Sequence, residues 1–236
     1  MTQAIDSIFH SPGYLRITQR RLEHLASLGL PLEDRTVLDV GAGIGDFSSF
    51  YLDRGCRVLA VEPREENLRD FDSNMRRSGI PFEGKLELRA GDVWALDEIE
   101  DVFDIVHAYG VLYHLSDPAR ALRTLASRCG GILLLETCVS NQTNGQSNVV
   151  PEPAENASQA IDGLGCRPDR VWLHAELKQL FAHVYLPQTQ PRHEQFPLDW
   201  RVGFGSDTLQ RSIYVASRQP LSQPSLSDDL IRLHDL

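Results

Sequence analysis

Thr36-Val37-Leu38-Asp39-Val40-Gly41-Ala42-Gly43-Ile44-Gly45 decides the fold: a short apolar run breaks off into three glycines spaced two apart. The run reads as a buried strand. The glycines read as a tight turn from the strand's C-terminal end into a helix over 46–54, stopped by Gly55. Outward from this point the pattern repeats. Arg57-Val58-Leu59-Ala60-Val61 predicts a second strand and 65–77 a charged helix. Strands follow at 86–90 and 103–108, then a helix over 117–128 closed by Gly130-Gly131, then a nearly all-apolar fifth strand at 132–139. Unbroken apolar strands alternating with helices predict an α/β fold, a doubly wound and mostly parallel sheet covered on both faces. Right-handed crossovers place the strand C-terminal ends along one edge, where such sheets bind ligands.

Before this core, 15–28 has the period of an amphipathic helix, stopped by Gly29 and Pro31. After it the rhythm breaks. Residues 140–170 are polar, rich in Asn, Gln, Gly and Pro, and long enough to predict a lid-like insertion. A helix at 171–182 and strands at 183–186 and 210–217 follow, and 219–236 reads as a loosely held tail with a weak helix at 229–234. The expected organisation is one domain over 1–218.

The composition, 42% hydrophobic and 24% charged, is that of an ordinary globular chain. Met1 to His10 lacks the basic start and apolar run of a signal peptide, and no stretch reaches membrane-span length, which predicts a cytoplasmic protein with no membrane partner. Cys56, Cys129, Cys138 and Cys166 form no C-x-x-C pair, so reduced thiols and no metal are expected. A net charge of −10, with Lys85 and Lys178 the only lysines, disfavours nucleic acid as a partner. Oligomeric state has no sequence signal.

The glycine loop alone fits a plain strand-to-helix turn or a dinucleotide site. Against the dinucleotide, Asp46 stands where the third glycine of its fingerprint belongs, and a carboxylate at a helix N-terminus repels pyrophosphate. The nearby acids suit instead a cationic nucleoside without phosphates, such as S-adenosylmethionine (SAM). Asp39 is expected to take its ammonium group, and Gly41, Ala42, Gly43 and Gly45 to let the backbone approach its methionine and ribose. Glu62 ends the second strand, about 20 residues beyond the loop, where an acid grips a ribose diol. Asp92 ends the third strand and can accept from the adenine amino group, with Val93 or Trp94 against the adenine face.

These motifs resemble those of class I SAM-dependent methyltransferases. The stretch Val37 to Gly45 is similar to their first motif, Val61-Glu62-Pro63 to their ribose-binding acidic motif, and Phe103-Asp104-Ile105-Val106 with Tyr109-Gly110-Val111-Leu112-Tyr113-His114 to their fourth strand and its loop. The resemblance implies a Rossmann-like seven-stranded sheet with one antiparallel strand, SAM as donor and S-adenosylhomocysteine as product. It also implies that the helix within 14–30 covers the donor, so that Tyr14 and Arg20 close the cofactor pocket, with Pro63, Tyr109 and Gly110 lining it. Val111-Leu112-Tyr113-His114 with Pro118, and Leu135-Glu136-Thr137, are similar to the tRNA wobble-uridine carboxymethyltransferases, which use a carboxylated donor held by extra basic residues. Here the loop continues Leu115-Ser116-Asp117, an acid where a basic residue would be wanted, so ordinary SAM is expected. The segment from Gly165-Cys166-Arg167-Pro168 to Asp199-Trp200 resembles uncharacterised methyltransferases of glycan clusters.

Methyl transfer needs chiefly an acceptor positioned behind the methyl group, and a hydroxyl acceptor also needs its proton removed. His114, in the loop after strand four, is the candidate base, with Tyr113 beside it and Glu136 as a substrate-binding or assisting carboxylate. His107 reads as buried structure, His174 as a weaker base candidate, Trp172 and Trp200 as core anchors, and Arg167 and Arg170 as solvated loop residues able to meet an anion. The expected reaction is methyl transfer to an oxygen, less readily a nitrogen, of a small molecule or glycan. RNA modification and SAM binding without turnover stand as alternatives.

Overall fold

The computed structural model describes residues 8–141, 145–152, 163–197 and 209–230. Trp200 and most of the weak helix expected at 229–234 lie outside them.

Helix α1 (Pro12–Ser27) precedes β1 (Thr36–Val40), α2 (Asp46–Asp53), β2 (Arg57–Glu62), α3 (Glu65–Ser78), β3 (Leu86–Ala90) and β4 (Phe103–Tyr109). Then come α4 (Pro118–Ser127), β5 (Cys129–Val139), a hairpin of β6 (Val149–Pro151) and β7 (Leu164–Cys166), α5 (Arg170–Leu180), β8 (His183–Pro187), β9 (Gln210–Ser217) and β10 (Leu226–Ser227). The main sheet has the order β10-β8-β9-β5-β4-β1-β2-β3. Strands β1 to β5 pair in parallel, while β9 runs antiparallel to both β5 and β8, and β10 antiparallel to β8. The class is therefore the expected doubly wound α/β sheet, but among the described residues it has eight strands rather than seven. The eighth is an edge strand formed by part of the expected loose tail. Leu226, buried, pairs with Pro187, and Ser225 Oγ donates to Leu28 O over 2.9 Å, so this part of the tail is tied to the body.

Alternation along β1 sends Val37 to one face and Leu38 to the other, and the two faces carry separate apolar cores. One packs α1, α2 and α3; the other packs α4 and α5. Gly130 and Gly131 do not close α4. They lie inside β5, which begins at Cys129, where its pairing with β4 shifts register between Phe103 and Ile105. A Cβ on Gly131 would stand 2.4 Å from Asp104 O, so glycine there serves the close approach of two backbones, which a sequence pattern cannot distinguish from a helix stop.

Between β1 and β4 the chain order reverses, the point where sheets of this kind leave a crevice at the C-terminal ends of the strands. The β6–β7 hairpin lies within the segment expected as a lid, so part of that insertion has regular structure of its own.

Candidate functional site

A cavity of about 490 Å³ occupies this crevice, within the size range of small-ligand sites. One end is walled by Gly41, Ala42, Asp46, Glu62, Pro63 and Asp92, with Val93 and Trp94 beside them. Gly41 has φ +68°, and a Cβ there would meet Val111 Cγ2 at 2.6 Å, so the loop must be glycine to pass beneath the β4 loop. Its N–H and that of Ala42 both donate to Val61 O, at 2.8 and 3.1 Å, which ties the loop to the end of β2. The next residue, Glu62, accepts from Gly43 N at 2.9 Å, Arg64 N at 3.1 Å and Asn67 Nδ2 at 2.9 Å. Burial still pushes its carboxyl above the ordinary range. Asp92 Oδ1 caps the following short helix by accepting from Trp94 N and Ala95 N.

Asp46 opens α2, and Gly45, at φ +89°, makes the turn into it. Asp46 Oδ2 is buried and has no hydrogen-bond partner among the described residues, and burial pushes this carboxyl up. A buried carboxylate oxygen without a donor, lining a cavity, suits a cationic ligand group and opposes a phosphate.

Four expectations need correction at this end. Asp39 does not line the cavity: it is 1% exposed, lies behind the loop, and accepts the Ser48 hydroxyl proton over 2.6 Å. Desolvation there pushes its carboxyl up to about 7. Gly43 and Gly45 are also absent from the wall, because the rings of Phe9 and Phe71 fill the space their side chains would take. Arg20 points outward to an exposed ion pair with Glu23, while its neighbour Arg21 and Tyr14 face the cavity.

The other end is made of Tyr109, Tyr113, His114, Arg21, Arg167 and Arg211. Gly110, at φ +77°, turns the chain after β4, and a single 3-10 turn, Leu112–His114, carries the tyrosine and histidine. Asp117, the acid where a basic residue was sought, caps α4 by accepting from Arg120 N at 3.0 Å. The Tyr113 and His114 rings lie 3.9 Å apart between centroids, and Arg211 sits 4.9 Å over Tyr113 and donates to its hydroxyl at 3.3 Å. His114 Nδ1 is 2.7 Å from Glu152 Oε2, and Arg167 Nη2 donates to Glu152 Oε1 at 2.7 Å.

Glu136 is not a catalytic carboxylate open to substrate. It is fully buried, does not line the cavity, and is held between Arg211 Nη1 and Arg21 Nη2, each at 3.0 Å. The contact with Arg21 is an ion pair without hydrogen-bond alignment, since Oε2 lacks an aligned donor among the described residues. His107 is buried as expected, bonded to Tyr51 OH at 3.0 Å, and burial holds its imidazole down to about 3. His174 stays on α5 away from the cavity, and Trp172 packs at the edge of one core. Arg170 is not solvated: it is 5% exposed and donates to Gln210 Oε1 at 3.0 Å. Arg21, Asp46, Glu152 and Arg211 were missed as site residues. The only sequence signal for them was an arginine or acid beside an apolar run.

A family model described as a methyltransferase domain matches residues 14–194, more than half of the chain. The chain belongs to the class I SAM-dependent methyltransferases. It is 37% identical over 149 residues to the tRNA U34 carboxymethyltransferase of Actinobacillus succinogenes, covering 58% of this chain and 40% of that protein. It is likewise 37% identical over 152 residues to the enzyme of that name from Shewanella loihica, covering 63% and 44%. The methyltransferase thus spans about two fifths of the length of these curated relatives. Among solved structures it resembles the N-terminal domain of EvdMO1 determined with S-adenosylhomocysteine and D-fucose, with TM-score 0.66, 22% identity, and 86% and 84% of the two chains covered. It also resembles a 1,6-didemethyltoxoflavin-N1-methyltransferase of Burkholderia thailandensis, with TM-score 0.57, 21% identity, and 87% and 80% covered. At that identity the likeness concerns the fold. Among the described residues no helix is long and apolar enough to cross a membrane.

Proposed function

We propose that this methyltransferase transfers the methyl group of SAM to an oxygen of a small molecule or glycan. The observation that carries the proposal is a single cavity walled both by the strand-end acids Asp46, Glu62 and Asp92 and by His114, Tyr113, Arg21, Arg167 and Arg211. Asp46 Oδ2 would take the methionine ammonium, Glu62 the ribose hydroxyls and Asp92 the adenine amino group. When bound, SAM supplies a carbon already activated by its sulfonium. Tyr109, Tyr113 and the arginines wall the acceptor side and fix its approach. His114 would take the acceptor hydroxyl proton on Nε2, leaving the acceptor oxygen free to act as the nucleophile.

The test is formation of S-adenosylhomocysteine by purified protein given SAM and fractions of a cell extract, with mass identification of the methylated product. Acceptor-dependent product with a mass gain on oxygen is expected, and the rate falls for His114→Ala. Full activity of His114→Ala at every pH would remove the base role. SAM binding without transfer to any fraction would leave a binding protein.

A second reading, carboxymethyl transfer to RNA, is favoured by the names of the relatives at 36–38% identity. Arg211 beside Tyr113 supplies a basic residue that the Asp117 loop lacks. Salt-sensitive binding of tRNA, or a carboxylated donor copurifying with the protein, would favour this reading over the first.

A further inference from the structure

We propose that Glu152 is the positioning residue of His114. Its carboxylate would hold Nδ1 in the protonated form and leave the Nε2 lone pair toward the cavity. This inference rests on the base role given to His114 above and assigns the β6–β7 hairpin a part in it.

Glu152 directly follows β6 and is 2% exposed, so a carboxylate there needs donors. Among the described residues it has two charge-bearing ones. Oε2 lies 2.7 Å from His114 Nδ1, and Oε1 accepts from Arg167 Nη2 at 2.7 Å. Burial works to raise its carboxyl, yet the bonds from His114 and Arg167 outweigh burial and hold it below the ordinary range. An ionised carboxylate only accepts hydrogen bonds, so the ring nitrogen facing it carries the hydrogen and the opposite nitrogen keeps its lone pair. A carboxylate in this position also stabilises the imidazolium that forms when the base takes a proton.

The hairpin is built to bring Glu152 there. Pairing of Val149 with Cys166 and of Pro151 with Leu164 sets its register, and Glu152 N donates to Gly163 O at 2.9 Å. Gly165 lies so close to the His114 turn that a Cβ would meet Tyr113 O at 2.3 Å and Glu152 Cδ at 2.8 Å. Arg167 Nη1 reaches Tyr113 O at 3.3 Å, and Cys166 Sγ donates to Leu112 O at 3.3 Å, so the end of β7 and the residue after it clamp the turn that presents the histidine. Among the described residues, the titratable and charged groups around His114 are Glu152 and Arg167 from the hairpin, Cys166 of β7, Tyr113 of its own turn and Arg211 of β9. Among these Glu152 alone is an acid in contact with the ring.

The test is nitrogen NMR of the imidazoles in the full chain saturated with S-adenosylhomocysteine, with the His114 signal assigned by its loss in His114→Gln. Neutral His114 is expected as the Nδ1–H tautomer. In Glu152→Gln, Arg167 claims the amide oxygen and the amide nitrogen faces the ring, so the tautomer should move toward Nε2–H, and Glu152→Asp should keep Nδ1–H. Neutral wild-type His114 with hydrogen on Nε2, or a tautomer unmoved in Glu152→Gln, would overturn the assignment. Wild-type protein alone decides the tautomer if Glu152→Gln does not fold. No acceptor is needed, so failure of methyl transfer and failure of this assignment are read separately.

Discussion

The acidic end of the cavity draws Gly41, Asp46, Glu62 and Asp92 from consecutive strand ends and their turns, whereas the basic end gathers Arg21 from α1, Tyr113 and His114 from behind β4, Glu152 and Arg167 from the hairpin, and Arg211 from β9. At the first end each acid sits within a few residues of a glycine or a strand terminus; backbone N–H groups satisfy much of the charge of Glu62 and Asp92, while Asp46 Oδ2 has no donor among the described residues. At the second the charges satisfy one another through side chains brought together only by tertiary folding. Local geometry makes the first end, and packing makes the second. Substitutions at the basic end should therefore register first in stability, and those at the acidic end first in affinity.

The largest effect is expected at Glu136. Its removal in Glu136→Ala leaves Arg21 and Arg211 charged and buried with their shared partner gone, and costs about 3–5 kcal/mol of stability. Urea unfolding monitored by circular dichroism measures this. A midpoint unchanged from wild type would mean that the two arginines reach water and that the basic end is not a packed unit.

Glu62→Gln should act on the other end. It keeps the shape and replaces the carboxylate that meets Gly43 N and is proposed to hold the ribose hydroxyls, weakening SAM binding by about 10–100-fold, as for one or two charge-assisted bonds. Calorimetric titration reads it. An equal loss of stability with unchanged affinity would reverse the contrast between the two ends.

The same contrast explains what the sequence could tell. Strand-glycine-acid patterns are local, so the sheet, the glycine loop, Glu62 and Asp92 were legible from spacing alone. Asp39 was misassigned because position beside a turn does not say which way a side chain points; alternation along β1 turns it inward to Ser48. Gly43 and Gly45 were taken for ligand contacts when Phe9 and Phe71 need their space. Arg20 and Arg21 are adjacent and chemically alike, and only the rotation of α1 decides which one is buried. Glu152 lies 38 residues beyond His114 and meets it only through the hairpin's register, which a polar segment without period does not announce.

Asp39 sharpens the comparison through pH. Its folded carboxyl titrates near 7 against an ordinary 3.8, so the proton is bound more tightly in the folded chain. That contribution to stability is complete below the unfolded value and is lost as pH rises through about 7. Asp39→Asn cannot lose it. The melting temperature of Asp39→Asn relative to wild type should therefore climb between pH 4 and 8, by about 3 °C or more for a chain of this size. Saturating SAM should leave that climb in place, because Asp39 is sealed from the cavity. A climb abolished by SAM would put Asp39 in contact with the ligand after all.

The smallest effect is expected at Arg20. Its guanidinium lies on the outer side of α1, paired with Glu23 at 2.6 Å where both side chains are well exposed. Exposed pairs at helical spacing gain little, since water screens the attraction and two long side chains lose freedom to make it. Arg20→Ala should accordingly change SAM affinity by less than about twofold and move the melting temperature by about a degree at most. Arg21→Met, one residue further on, removes a partner of Glu136 and should lower the melting temperature by several degrees. Comparison of the two variants by thermal melts and by SAM titration isolates the rotation of α1. Should Arg20→Ala weaken SAM binding while Arg21→Met does not, the helix would present its other arginine to the cavity, and the basic end would lose the residue that joins it to Glu136.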